Sequence, residues 1–138
     1  MATRAAIIMN DNEGMRGAYS HWDGYLSGLG AKLKNHFNTR DKVERLIDGG
    51  DIAEIDNDGN VRYFENDTIL RMNQPRKAKT WQEVANHISH NGHIYVNING
   101  IWFYAQSTKE KLMELDTALN DPWENEKDLS THPDYQYL

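Results

Sequence analysis

Three groups of residues have types and spacings that could do chemistry. The first is His21 and Asp23, which flank Trp22 in the run Tyr19-Ser20-His21-Trp22-Asp23-Gly24-Tyr25. An imidazole steered by a nearby carboxylate is the nucleus of a general base. Gly28 and Gly30 follow near the first turn of a predicted helix, where bare backbone amides could hold an oxyanion or a phosphate. The same residues also have a purely structural reading. In it, Trp22 fills the core, His21 and Asp23 satisfy local backbone groups, Tyr19 and Gly24 shape the exit from a strand, and Gly28 and Gly30 let a helix approach a sheet closely. The structural reading is the favoured one. His-x-Asp has no identifiable third partner, and the glycines form no G-x-G-x-x-G frame and precede no Lys-Ser/Thr.

The second group is His87, His90 and His93, spaced three apart. Three imidazoles at the end of a helix could make a metal site. Spacing alone carries little weight, no H-E-x-x-H frame accompanies them, and imidazolium near a helix C-terminus is favoured by the helix dipole. Neither a metal nor any other cofactor is expected. The third group is Arg71, Arg76, Lys77 and Lys79 beside Trp81, bases next to an aromatic that could pair phosphates and stack a base. The acidic balance of the chain opposes that use, and the stretch reads as a linker or exposed loop.

The elements that would position these groups follow from local pattern. Residues 3–9 and 15–21 flank the turn-rich Asn10-Asp11-Asn12-Glu13-Gly14, an opening hairpin in which Tyr19 and His21 share one face while Ser20 and Trp22 share the other. Leu26, Leu29, Leu33 and Phe37 recur at helical spacing, and Val43, Leu46 and Ile47 mark a second helix that Gly49-Gly50 stops. Asp58-Gly59 between Ile52/Ile55 and Val61/Tyr63 predicts a second hairpin. Thr80-Trp81-Gln82-Glu83 is a capping box opening a helix with Trp81, Val84, Ala85 and Ile88 buried, ended by Gly92. Asn99-Gly100 joins two strand-like runs in a third hairpin, and Ser107-Thr108-Lys109-Glu110 is a second capping box, expected to open a helix bearing Leu112, Leu115 and Leu119. The order ββ-αα-ββ-α-ββ-α predicts an α+β fold: an antiparallel sheet built from hairpins and covered by about four helices.

At 138 residues the chain is one domain's worth, read as a single α+β domain over 1–122 and an acidic, partly ordered tail over 123–138. With no cysteine there is no disulfide, no thiol nucleophile and no cysteine zinc site, which fits a reducing cytosol. No run reaches the length of a membrane span, and no leader core is visible near the start. The net charge of −6 argues against a sequence-independent grip on nucleic acid. From Lys109 onward there are eight acids against three bases. This excess reads first as a solvated face and second as an acidic patch, including Glu110, Glu114, Glu124, Glu126 and Asp128, that docks on a basic protein.

The run Tyr19-Ser20-His21-Trp22-Asp23-Gly24-Tyr25 resembles the opening of a group of small proteins encoded by phages and prophages. These lead from a short hairpin into Y-C-H-W-D-G-Y-P and then a glycine-spaced helix. The similarity spans about residues 3–55, is loose over Gly100-Ile101-Trp102-Phe103-Tyr104, and breaks at Ser20, where the group has cysteine, and at Leu26, where it has proline. The resemblance implies a phage accessory product and carries over no catalytic residue. The expected function is therefore protein-protein binding in the host cytosol, inhibiting a host protein such as an antiviral-defence component, with Trp102 or Tyr104 as anchors if exposed on their hairpin and core packing as the competing reading of both. The alternative is a small enzyme or ligand-binding domain using His21 and Asp23. A homo-oligomer is compatible with either.

Overall fold

The computed structural model describes residues 2–64 and 74–120. Its centre is the apolar run Ala5-Ala6-Ile7-Ile8-Met9, buried on both faces, which forms β1 (Ala5–Asp11). A strand wet on neither face belongs in the middle of a sheet covered on both sides. Strand β1 pairs antiparallel with β2 (Gly14–Ser20) and parallel with β6 (Ile94–Ile98), in the register Ile7 opposite Ala18 and Tyr95. β6 continues through the Asn99-Gly100 turn into β7 (Ile101–Ala105), and β7 pairs with the two-residue β8 (Met113–Glu114). On the other side β2 meets β3 (Ile52–Ile55), and β3 returns as β4 (Val61–Tyr63). The strand order is β4-β3-β2-β1-β6-β7-β8, with β5 (Arg76–Ala78) added to β2 beside β3.

The α+β class holds, and all three predicted hairpins are present. The hairpins are not joined edge to edge as a purely antiparallel sheet. Both β1 with β6 and β2 with β3 are parallel pairs, because helices intervene between them and return the chain to the same end of the sheet.

Helices cover both faces. On one side lie a single π-helical turn (Leu26–Gly30) running into α1 (Ala31–His36), then α2 (Arg40–Asp48) and α4 (Leu115–Asn120). They bring Leu29, Leu33, Phe37, Val43, Leu46, Ile47 and Leu115 onto Ala5, Ile7, Met9, Tyr95, Trp102 and Tyr104. On the other side α3 (Trp81–Asn86) packs Trp81, Val84 and Ala85 on Ala6, Ile8, Met15, Tyr19, Val96 and Phe103. Alternation along β1 thus feeds two cores, one from each parity of residue.

The caps explain the helix starts. Thr39 Oγ1 accepts from the Lys42 amide at the head of α2, and Thr80 Oγ1 accepts from the Glu83 amide at the head of α3. Glu83 Oε1 accepts from the Thr80 hydroxyl, at 3.3 Å, in place of the backbone bond that a capping box would make. The second predicted box opens no helix. Ser107 Oγ accepts from Lys109 N and Glu110 Oε2 accepts from Gln106 N, a turn that leads into β8 and delays the helix to Leu115. Leu112 and Leu115 consequently enter opposite cores.

The basic stretch is likewise more than a loop. Arg76–Ala78 is strand, and Arg76 forms two bonds with Asp51, 2.7 and 3.1 Å long. Arg71 lies outside the described residues, as do Glu124, Glu126, Asp128 and the whole 123–138 tail.

Candidate functional site at the strand-to-helix corner

The chain leaves β2 at Ser20 and turns sharply before the π-helical segment begins. His21 N still donates to Ile52 O at 3.0 Å, holding the first residue past the strand in sheet-like pairing. Asp23 then takes φ +59, a left-handed conformation that Asp tolerates better than most residues. The reversal directs Gly24 back against β1: Gly24 N donates to Thr3 O at 2.8 Å, and Gly24 O accepts from Tyr95 Oη at 2.7 Å. A Cβ on Gly24 would sit 2.7 Å from Thr3 O and 2.9 Å from the Ala5 Cβ, so the contact requires glycine.

The amides of Gly28, Leu29 and Gly30 are spent inside the corner. Gly28 N and Gly30 N donate to Tyr25 O, at 3.0 and 3.4 Å, and Leu29 N donates to Asp23 O at 2.7 Å. These bonds produce the π-helical turn and remove the oxyanion or phosphate cradle that bare amides would have offered. Gly28 is required by the same closeness, since a Cβ there would lie 2.6 Å from Asp23 O. The tight contacts of Gly28 are local, to Asp23 and Tyr25, whereas the close approach to the sheet expected of the glycines is met at Gly30, where a Cβ would stand 3.3 Å from the Tyr95 ring.

The role expected for Trp22 is not. Trp22 is 42% exposed, and so is Tyr25. The positive φ at Asp23 and the tight bond of Gly24 to Thr3 swing the chain so that the aromatics on either side of these two residues face water, while Leu29 and Leu33 fill the core in their place. The reverse correction applies to Trp102 and Tyr104 as interface anchors. Both face the helical layer and are buried at 7% and 2% exposure. Trp102 Nε1 donates to Phe37 O at 2.8 Å, and the Tyr104 ring stands 5.1 Å from that of Tyr95.

His21 is set beneath Trp22. The two rings meet edge to face at 4.7 Å between centroids, and Phe64 approaches His21 edge to face at 5.6 Å. Tyr19 Oη lies 2.5 Å from His21 Nδ1, so Tyr19, on the face the alternation assigned to both residues, fixes the imidazole. Asp23 is drawn the other way, with Oδ1 at 3.5 Å from Tyr25 Oη and Oδ2 at 3.9 Å from Lys32 Nζ. Lys32 also donates to Ile55 O at 2.7 Å, tying α1 to β3 below the corner.

The three histidines of the other candidate group do not converge. Among the described residues no group of three His, Asp or Glu side chains is placed to hold a metal ion. His93 Nδ1 pairs with Tyr104 Oη at 2.7 Å, and His90 Nδ1 accepts from Gly92 N at 3.3 Å. Burial holds both imidazoles below the ordinary 6.5, and the neighbouring His90 adds to the effect on His93. Burial and the nearby Tyr104 keep the Tyr95 hydroxyl far above its usual range, and burial, followed by the Glu110 carboxylate, pushes Tyr104 up to about 12. Both phenols therefore act as hydrogen-bonding groups at any physiological pH.

No helix among the described residues is long and apolar enough to cross a membrane. A scan against protein-family models, a search of curated proteins and a search of solved structures each returned no match.

Proposed function

We propose that the chain is a phage-type accessory protein that works by binding another protein, inhibiting a host component such as one of antiviral defence, in the host cytosol. The observation that carries this reading is the exposure of Trp22 and Tyr25 at 42% each, on a backbone that six hydrogen bonds, from His21 N to Gly30 N, hold in place. Large aromatics dominate binding energy at protein interfaces, and holding them rigid before contact lowers the entropy lost on association. The similarity of the Tyr19–Tyr25 run to phage and prophage proteins supports the same reading, because those residues are the ones that build the corner. The acidic balance of the chain adds a partner preference: a basic protein surface rather than nucleic acid.

The test is comparative capture from host lysate. Wild-type protein should retain a partner that Trp22→Ala and Tyr25→Ala both lose while melting at the wild-type temperature. A partner retained equally by all three forms would remove the corner from the interface.

A second reading, a ligand-binding or enzymatic centre at His21 and Asp23, draws on the 2.5 Å pairing of Tyr19 Oη with His21 Nδ1, which orients an imidazole near the surface. His21→Ala separates the two. Loss of a small-molecule activity without loss of partner binding favours the second.

A further inference from the structure

The loop between α3 and β6 contains the sequence His90-Asn91-Gly92-His93, and its hydrogen bonds are unusual in their chemistry. Asn-Gly is the dipeptide in which the following amide nitrogen can attack the asparagine side chain most freely, because glycine has no Cβ to obstruct it. In this loop Gly92 N–H is directed at His90 Nδ1, at 3.3 Å. The acceptor is thus an imidazole lone pair, which is a base. Asn91 Oδ1 in turn accepts from Arg4 N at 2.6 Å, a backbone donor aimed at the oxygen that would gain charge during attack. Asn91 itself is exposed to water.

We propose that Asn91-Gly92 is a self-deamidation site, with His90 as general base and the Arg4 amide as oxyanion donor. Gly92 N attacks Asn91 Cγ while its proton passes to His90 Nδ1. The bond between Asn91 Cγ and Nδ2 then breaks, the imidazolium returns the proton to the leaving nitrogen, and ammonia departs. The five-membered imide so formed takes up one water at either carbonyl and opens to aspartate or isoaspartate. Nothing is oxidised or reduced, and His90 is regenerated. Burial keeps the His90 ring in its neutral, proton-accepting form near neutral pH.

A second Asn-Gly pair in the same molecule provides the comparison. Asn99-Gly100, in the β6–β7 turn, is the same dipeptide, yet Gly100 N donates to Asn97 Oδ1, at 3.0 Å. An amide oxygen is not a base at this pH. Asn99 is also held at φ +53 by the turn. The fold therefore gives catalytic assistance at Asn91 and withholds it at Asn99.

Modification has a structural consequence. Asn91 N donates to Arg4 O at 3.1 Å, so Asn91 and Arg4 pair in both directions at the start of β1, next to the Thr3 carbonyl that holds Gly24. An isoaspartate adds one backbone atom at this point and breaks the pairing.

The experiment is timed incubation of the full-length protein at neutral pH, followed by peptide mass spectrometry of both sites. Native protein should lose Asn91 at least about a hundredfold faster than Asn99, the low end of what a positioned base contributes. The difference should vanish in denaturant, and also in whichever of His90→Gln and His90→Ala retains the wild-type melting temperature. Equal native rates at the two sites, a difference that persists in denaturant, or one that survives removal of the imidazole would each overturn the assignment.

Discussion

Asp51 and Arg76, 25 residues apart, form a two-pronged ion pair of 2.7 and 3.1 Å in which the carboxylate is fully buried and the Arg76 side chain partly so. Asp51 Oδ1 also accepts from Tyr19 N at 3.1 Å. Along one edge of β2, Met15, Arg16 and Gly17 pair with β5 while Ser20 pairs with β3. The Tyr19 amide falls between these two partner strands, and the Asp51 side chain takes the place of the missing strand carbonyl. Breaking a buried pair by removing one partner leaves the other charge unpaired, which costs about 3–5 kcal/mol. Asp51→Ala and Arg76→Ala should each destabilise the fold by that order in urea denaturation, and the double substitution should cost less than the sum.

The tryptophans divide by environment. Trp22→Ala should change stability by no more than about 1 kcal/mol, because the side chain is half in water and loses mainly its contact with His21. Trp81→Ala and Trp102→Ala, both buried, should each cost about 3–5 kcal/mol. If partner binding uses the corner, Trp22→Ala should weaken it by at least about thirtyfold, the usual effect of losing an interface hot spot. Calorimetry for stability and titration for affinity read the two effects apart.

Gly24→Ala should destabilise by about 1–3 kcal/mol, since its Cβ meets backbone, not a movable side-chain end. Tyr95→Phe, which removes only the hydroxyl bonded to Gly24 O, should cost about 1 kcal/mol. Both changes act on the support beneath Trp22, so hydrogen exchange at the Gly24 and Leu29 amides should accelerate relative to amides of β6.

What could be read from the sequence was local. The Leu29-Leu33-Phe37 spacing, the Thr80 cap and the Asn99-Gly100 turn each depend on a few neighbouring residues, and each is present. What could not be read was set by distant partners. Strand β5 looks like a charged loop until Asp51 neutralises Arg76 from 25 residues away. Ser107-Thr108-Lys109-Glu110 has the letters of a capping box, yet Phe103 and Tyr104 offer a strand edge to Met113 and Glu114, and pairing there postpones the helix. The outward turn of Trp22 depends on a positive φ at a non-glycine residue, for which no pattern of hydrophobicity gives notice. The continuous apolar run of β1 hinted at burial on both faces.

Acid should weaken the fold through His90 and His93. Both titrate below 6.5 in the native protein, so the unfolded state takes up protons first as pH falls. The stability they contribute is fully present above that value and is lost as pH drops through their native range. Urea midpoints measured from about pH 7.5 down to about pH 5 should fall, and His93→Gln should flatten the slope. Tyr104, which shares its hydroxyl between His93 Nδ1 and Gly92 O, moderates the loss because it can accept from a protonated ring.

The parallel pairing of β1 with β6 sets a timetable for synthesis. Ile7 lies beside Tyr95 and Ile8 beside Val96, so β1, fully buried from Ala5 to Met9, lacks one of its two neighbours until the residues of β6 have left the ribosome. Until then the nascent hairpin of β1 and β2 presents an open, greasy border, and closing that long loop is the slow entropic step. A chaperone that shields this border during translation would raise the yield of folded protein more than one that acts after release.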